Sequence, residues 1–187
     1  MTTVGGQVYD KGTIKARDAL LVLIDIQEKL TPAVVEAEKM VENAKRLLGL
    51  ARVMELPVIV TEQEKLGRTF GEIGEKLTSA AIQKTTFDCF LSDEFAAAVA
   101  KTGRSALILA GIEAHICVAQ TALSGNSRFN IHVVSDAIAS RSPHNVAVAL
   151  DRMRAAGITI TSTEMVIYEL LKRAGTPEFK AMLPLVK

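Results

Sequence analysis

Leu107–Leu123 reads LILAGIEAHICVAQTAL. A continuous run of apolar residues stops at Gly111, and a helical pattern opens a few residues later. An unbroken apolar run of strand length is what a strand covered on both faces requires. A buried strand feeding directly into a helix is the repeating joint of a parallel α/β sheet. One of the two cysteines in the chain, Cys117, falls at the start of that helix. Backbone N–H groups there lack partners and the helix dipole favours negative charge, so the position predicts a thiolate.

The same alternation continues in both directions. Upstream, ALLVLID (19–25) is a second unbroken apolar run, VIVTEQ (58–63) follows Pro57, and AIQK (81–84) is short. Downstream come IHVVSDA (131–137) and ITIT (158–161). Between the strands, Met40, Ala44, Leu47, Leu48, Ala51 and Met54 share one helical face, and Pro32 suits a helix start. Ser92 caps a helix that stops at Gly103, and Ser142 with Pro143 opens one that Gly157 ends, with Val146, Leu150 and Met153 as its buried stripe. Thr163 caps EMVIYELLKRAG. The glycine-rich stretch 64–79 reads as a long loop with at most a short helix, and SGNSRFN (124–130) is weaker than a helix at that place should be. The expected architecture is a three-layer, Rossmann-like α/β sandwich, with six mostly parallel strands and helices on both faces. Residues 1–17 read as an N-terminal arm and 18–187 as a single domain.

The chain has 187 residues, a formal net charge of +1 and 4% aromatics. No basic stripe interleaves with aromatics, which argues against a nucleic-acid partner. The apolar runs are too short to span a bilayer, and no secretory signal opens the chain. Two cysteines make no disulfide framework, so the expectation is a cytoplasmic protein with both thiols reduced.

In doubly wound sheets the site lies beyond the carboxyl ends of the strands, near the point where strand order reverses. The residues at those ends are Asp25, Glu62 and Gln63, Lys84, Glu113 to Cys117, and Asp136. An acid, an amine and a thiol therefore converge: Asp25 as general base, Cys117 as nucleophile, and Lys84 holding negative charge between them. Gln27, Glu62, Gln63, Phe87 and His115 are the candidates to line the substrate pocket, although Glu62 and Gln63 equally suit bonds to nearby backbone. His115 reads as oriented by its own turn rather than catalytic. Phe87 and Phe90 read as core with the option of walling a pocket, and Cys89 reads as packing. The three histidines, His115, His132 and His144, form no metal-ligand spacing with one another or with cysteine, and no phosphate-binding glycine loop occurs. No metal and no cofactor is expected.

ALLVLIDIQEKL, VIVTEQ, IQKTTFDCF, LILAGIEAHICVAQTAL and HVVSDAIASR, in that order between residues 19 and 141, resemble the isochorismatase-like cysteine hydrolases. That family includes nicotinamidases and carbamoyl-amide hydrolases, and the chain is most similar to its small single-domain members. The YELL and PEFKAMLPLVK tail fits as well. The resemblance implies that Asp25, Lys84 and Cys117 are the base, charge partner and nucleophile. It also implies a cis peptide at Ile112–Glu113, an oxyanion hole built from the amides of Glu113 and Cys117, and a homo-oligomer. Two departures narrow it. Nicotinamidases hold a metal through an Asp and histidines lying between the first acid and the lysine, and this chain has no histidine there. Isochorismatases cleave a vinyl ether without a cysteine, whereas this chain keeps Cys117. The expectation is a metal-independent hydrolase of a small amide or related C–N acyl compound. A catalytically silent oligomeric binding subunit, a vinyl-ether hydrolase and a redox-active thiol protein are the rivals.

Overall fold

The computed structural model describes residues 12–186 and the backbone of two short strands, Thr3–Val4 and Gln7–Val8. The 1–17 arm is therefore described only in part, with the side chains of residues 1–11 outside the described set. Of its described part, Ile14 is buried and its N–H donates to Glu169 Oε2 at 3.0 Å.

Six strands form the central sheet: β1 (Ala19–Ile24), β2 (Val58–Gln63), β3 (Ile82–Lys84), β4 (Ala106–Ile112), β5 (Asn130–Ala139) and β6 (Thr159–Thr161). Their order is β3-β2-β1-β4-β5-β6, and every pairing is parallel. Strand order reverses between β1 and β4, so the switch-point crevice opens at Asp25 and Glu113. The helices are α1 (Ala37–Val53), α2 (Gly71–Gly74), α3 (Asp93–Thr102), α4 (Ala119–Gly125), α5 (Pro143–Ala155), α6 (Thr163–Leu171) and α7 (Pro177–Val186).

Strand parity sorts the core into two layers. Leu21, Leu23, Val60, Ile108 and Ala110 pack against α1, α6 and α7. Leu20, Val22, Ile24, Ile59, Ile82, Leu107 and Leu109 pack against α3, α4 and α5. Every residue of β1 and β4 is buried, which is why neither strand alternates in sequence. Each fully buried Leu, Ile or Val there stabilises the fold by roughly 1.5–3 kcal/mol.

Several expectations shift by a turn or a residue. Pro32 heads a single 3₁₀ turn, Thr31–Ala33, and α1 begins only at Ala37 after Glu36 at φ 55°. The cap of α6 is Ser162, whose hydroxyl accepts from Met165 N–H at 3.3 Å, while Thr163 is held by Asp136. Ser142 occupies the cap position of α5 without a side-chain bond; Pro143, which has no N–H to satisfy, sets that start instead. β4 runs through Gly111 to Ile112, and β5 reaches Ala139 by a register shift between Leu109 and Gly111.

The weak helix at 124–130 has a packing reason. A Cβ on Gly125 would stand 2.7 Å from the ring of Phe90, so only glycine admits that ring. Phe90 stacks on Phe129 with centroids 5.5 Å apart, and the Arg128 guanidinium lies 4.5 Å over the Phe90 ring.

Candidate active site

Successive side chains of a strand face opposite sides of the sheet. In β2, Thr61 and Gln63 share the face of Ile59, and in β3 Lys84 shares the face of Ile82, so all three turn toward α3, α4 and α5. Asp25 follows β1 in a left-handed conformation, φ 52°, which Asp adopts at less penalty than most residues. The Lys84 ammonium donates to Asp25 Oδ2 at 2.6 Å, and both side chains are fully buried. It also donates to Gln63 Oε1 and to the Thr86 carbonyl, each at 3.1 Å. An ammonium has three N–H donors, and these three acceptors take them all. Thr61 Oγ1 donates to Asp25 Oδ1 at 2.7 Å. A carboxylate accepts about four hydrogen bonds, so room remains on Asp25 for one more donor.

The Cys117 thiol lies close enough to feel the charges of both Asp25 and Lys84. Cys117 sits in a wide π-helical turn, Ala114–Val118, that leads into α4, with Val118 N–H donating back to the Glu113 carbonyl at 3.3 Å. Such turns recur at functional sites. Burial pushes the Cys117 thiol up, the Asp25 carboxylate pushes it further, and the Lys84 charge opposes both, leaving it at about 12. Lys84 spends its donors on Asp25, Gln63 and Thr86, so it does not hold the sulfur anionic. Asp25 and Lys84 meet directly, and the charges of both act on Cys117.

Cys89 is not remote from this cluster. It is fully buried, its N–H donates to Thr121 Oγ1 at 3.0 Å, and its thiol feels the charges of Lys84 and Asp25. Burial raises it to about 11. Both cysteines are free.

The remaining candidates divide. Gln63 touches Lys84 and donates to the Thr85 carbonyl at 2.9 Å. Gln27 is committed to the 64–79 loop: its amide donates to the carbonyls of Gln63 and Gly67 at 2.9 and 2.7 Å and accepts from Gln63 N–H at 2.9 Å. Glu62, of opposite parity to Gln63, receives Thr69 N–H and Oγ1 at 2.6 Å each, so it braces the same loop rather than facing Lys84. Asp136 accepts from Thr163 N–H at 2.8 Å and starts α6, away from the crevice. Phe87 is 54% exposed and is not core. It stands one residue beyond Thr86, whose carbonyl accepts from Lys84.

The Ile112–Glu113 peptide is cis. Glu113 is buried, and its carboxylate accepts from the Arg141 backbone N–H at 3.1 Å and from Arg141 Nε at 3.0 and 3.2 Å, with Nη2 in ion-pair contact at 3.0 Å. Burial raises that carboxyl, but the Arg141 bonds and charge outweigh it and hold Glu113 below the usual carboxylate range. His115 has both ring nitrogens engaged, Nδ1 with Ser140 Oγ at 3.0 Å and Nε2 with Asn145 Nδ2 at 3.2 Å. Thr61 and Arg141 are the residues that strand-end reasoning misses. Their signals are a lone hydroxyl in the apolar VIVTEQ and the arginine that closes HVVSDAIASR.

Among the described residues no three His, Cys, Asp or Glu side chains cluster as a metal would need, and no helix is long and apolar enough to cross a membrane. A family profile described as the isochorismatase domain matches residues 19–165. The isochorismatase domain-containing protein 2A of Mus musculus is 36% identical over 184 residues, covering 94% of this chain and 86% of its own. The solved structure of MAR1 ribonuclease from Caenorhabditis elegans superposes with a TM-score of 0.86 at 32% identity, over 94% of this chain and 92% of that one. YcaC from Escherichia coli, described as an octameric hydrolase of unknown specificity, gives 0.85 at 28% identity over 95% and 93%. A profile across most of the sheet, and relatives above 30% identity over nearly the full length, place the chain in the isochorismatase family, whose members are hydrolases.

Proposed function

We propose that the chain hydrolyses a small amide or related C–N acyl substrate through a thioester on Cys117, without a metal. The observation that carries this reading is the buried Asp25 carboxylate, held by Lys84 at 2.6 Å, whose charge together with burial raises the Cys117 thiol. A thiol that keeps its proton until attack needs a base beside it, and Asp25 is that base. As sulfur adds to the carbonyl carbon, Asp25 takes its proton. The N–H groups of Glu113 and Cys117, in the first turn after β4, receive the oxyanion; one such donor is worth on the order of 100- to 1000-fold in rate. Collapse of the adduct expels the amine, which leaves with the proton from Asp25. Water then loses a proton to the same carboxylate and adds to the thioester, and sulfur departs and recovers that proton. Lys84 keeps the carboxylate ionised and aimed.

A small molecule in the cytoplasm is the substrate, and a homo-oligomer the working form, by analogy with the octameric Escherichia coli YcaC. Neither nucleic acid nor membrane is a partner in this reading. The test is a panel of small amides, ureides, vinyl ethers and a single-stranded RNA oligonucleotide, assayed with the unsubstituted chain and with Cys117→Ala. Turnover of a C–N compound lost in Cys117→Ala supports the proposal. Turnover of a vinyl ether or of RNA that survives the substitution would refute it, as would no turnover at all beside tight binding of another protein.

A further inference from the structure

The turn that carries the Glu113 and Cys117 amides is gripped from one side by the connection between β5 and α5. Arg141 closes on the buried Glu113 carboxylate with its backbone N–H at 3.1 Å and its guanidinium Nε and Nη2 at 3.0 Å. Ser140 Oγ and Asn145 Nδ2 hold the two nitrogens of His115 at 3.0 and 3.2 Å. With Asn145 donating, Nε2 accepts, and Nδ1–H is left to donate to Ser140. Residues 113 and 115 are thus fixed on either side of Ala114. Among the described contacts none joins Arg141 to Asp25, Lys84 or the Cys117 thiol. An ion pair whose cation is 63% exposed contributes little to global stability. Its carboxylate end, however, is buried on the turn itself, and both the backbone N–H and the Nε–H of Arg141 donate to it, which fixes orientation as well as distance.

We infer that Arg141 is a positioning residue of the acylation step: its ion pair with Glu113, supported by Ser140 and Asn145 on His115, sets the amides of Glu113 and Cys117 where the tetrahedral oxyanion forms. This rests on the thioester reading above. The chemistry of the two ordinary thiol reagents separates a positioning role from a merely structural one. Addition of sulfur to the carbonyl of p-nitrophenyl acetate builds an oxyanion and releases nitrophenolate. Displacement of iodide from iodoacetamide builds none. Both use the same Cys117 sulfur.

The experiment measures Cys117 acylation by p-nitrophenyl acetate and its alkylation by iodoacetamide, at one pH, in the full chain and in Arg141→Gln, Arg141→Lys and Glu113→Gln. A misplacement of about 1 Å in a catalytic group is worth on the order of 100-fold, so acylation should fall by about 10-fold or more in Arg141→Gln. Alkylation should stay within about 2-fold, because no oxyanion donor assists it. Glu113→Gln should match Arg141→Gln, and Arg141→Lys, which keeps charge but loses the Nε–H, should fall between it and the unsubstituted chain. Equal losses in both reactions, or full acylation in Arg141→Gln, would overturn the inference while leaving the thioester reading intact. No acylation of Cys117 in the unsubstituted chain would overturn both.

Discussion

Asp25 joins three neighbours that pull in different directions: a lysine that balances its charge, a threonine that donates to it, and a thiol that its charge pushes up. The ion pair is too buried to be broken without consequence. Removing Lys84 leaves an uncompensated interior carboxylate, a loss of roughly 3–5 kcal/mol, so activity lost in a Lys84 variant speaks first of folding. Cys117 is the cleaner probe. With its thiol raised to about 12, alkylation by iodoacetamide should climb steadily with pH through the neutral and mildly alkaline range, and a plateau below pH ~8.5, the value of an ordinary thiol, would contradict the raised value. His132 offers a second test. It is buried on β5, its Nε2 has no hydrogen-bond partner, and burial lowers it to about 4. The folded chain binds this proton less readily than the unfolded one, whose histidine titrates near 6.5. Its contribution to stability is therefore complete above about pH 6.5 and is lost as pH falls through 4, amounting to about 3 kcal/mol. Urea titrations across that window should show a shallower acid decline for His132→Leu than for the unsubstituted chain; parallel declines would exclude His132 as the cause. Asp25 and Lys84 are legible in sequence because each stands at or just beyond the end of a strand-length run, and Cys117 because it opens the helical segment after another. Thr61 is not, since a threonine in a strand reads as an ordinary β-former until its hydroxyl finds a partner.

At the scale of elements, the crevice depends on backbone approaching backbone. Gly111 takes φ 136°, and a Cβ there would stand 2.0 Å from the Ile24 carbonyl oxygen and 2.7 Å from its nitrogen. Only glycine lets the end of β4 lie this close to β1, at the point from which Asp25 and Glu113 leave the sheet. Gly111→Ala should destabilise the chain by more than about 4 kcal/mol, read from the denaturation midpoint; a loss under about 1 kcal/mol would mean the strands can part without harm. The helix ends show why boundaries resist sequence reading. Ser92 and Gly103 bracket α3 as composition suggests, the hydroxyl accepting from Phe95 N–H at 3.4 Å. Ser162 and Thr163 are both competent caps, and the distant Asp136 decides between them by taking Thr163. The glycine at the end of α4 likewise answers to Phe90, a residue from another connection whose ring a Cβ on Gly125 would meet at 2.7 Å.

Over the whole molecule, topology was the most legible level, because alternating apolar runs and helical faces admit few parallel arrangements. Pocket walls were the least, because Gln27 and Glu62 are polar residues whose partners lie in the 64–79 loop and cannot be named from spacing. Phe87, Leu91, Val148, Met165 and Tyr168 leave large apolar surfaces exposed on the single chain. Light scattering on the eluting protein should accordingly give a mass that is a multiple of 20.1 kDa, and a monodisperse monomer would contradict the oligomer. The central claim is chemical: Cys117 forms an acyl bond with Asp25 as its base. The most direct measurement is the intact mass and peptide map of protein quenched during reaction with p-nitrophenyl acetate. The account predicts one acetyl group on Cys117, released by hydroxylamine and strongly reduced in Asp25→Asn. Acetylation confined to Cys89 or to lysines, or a Cys117 adduct formed equally well in Asp25→Asn, would contradict it.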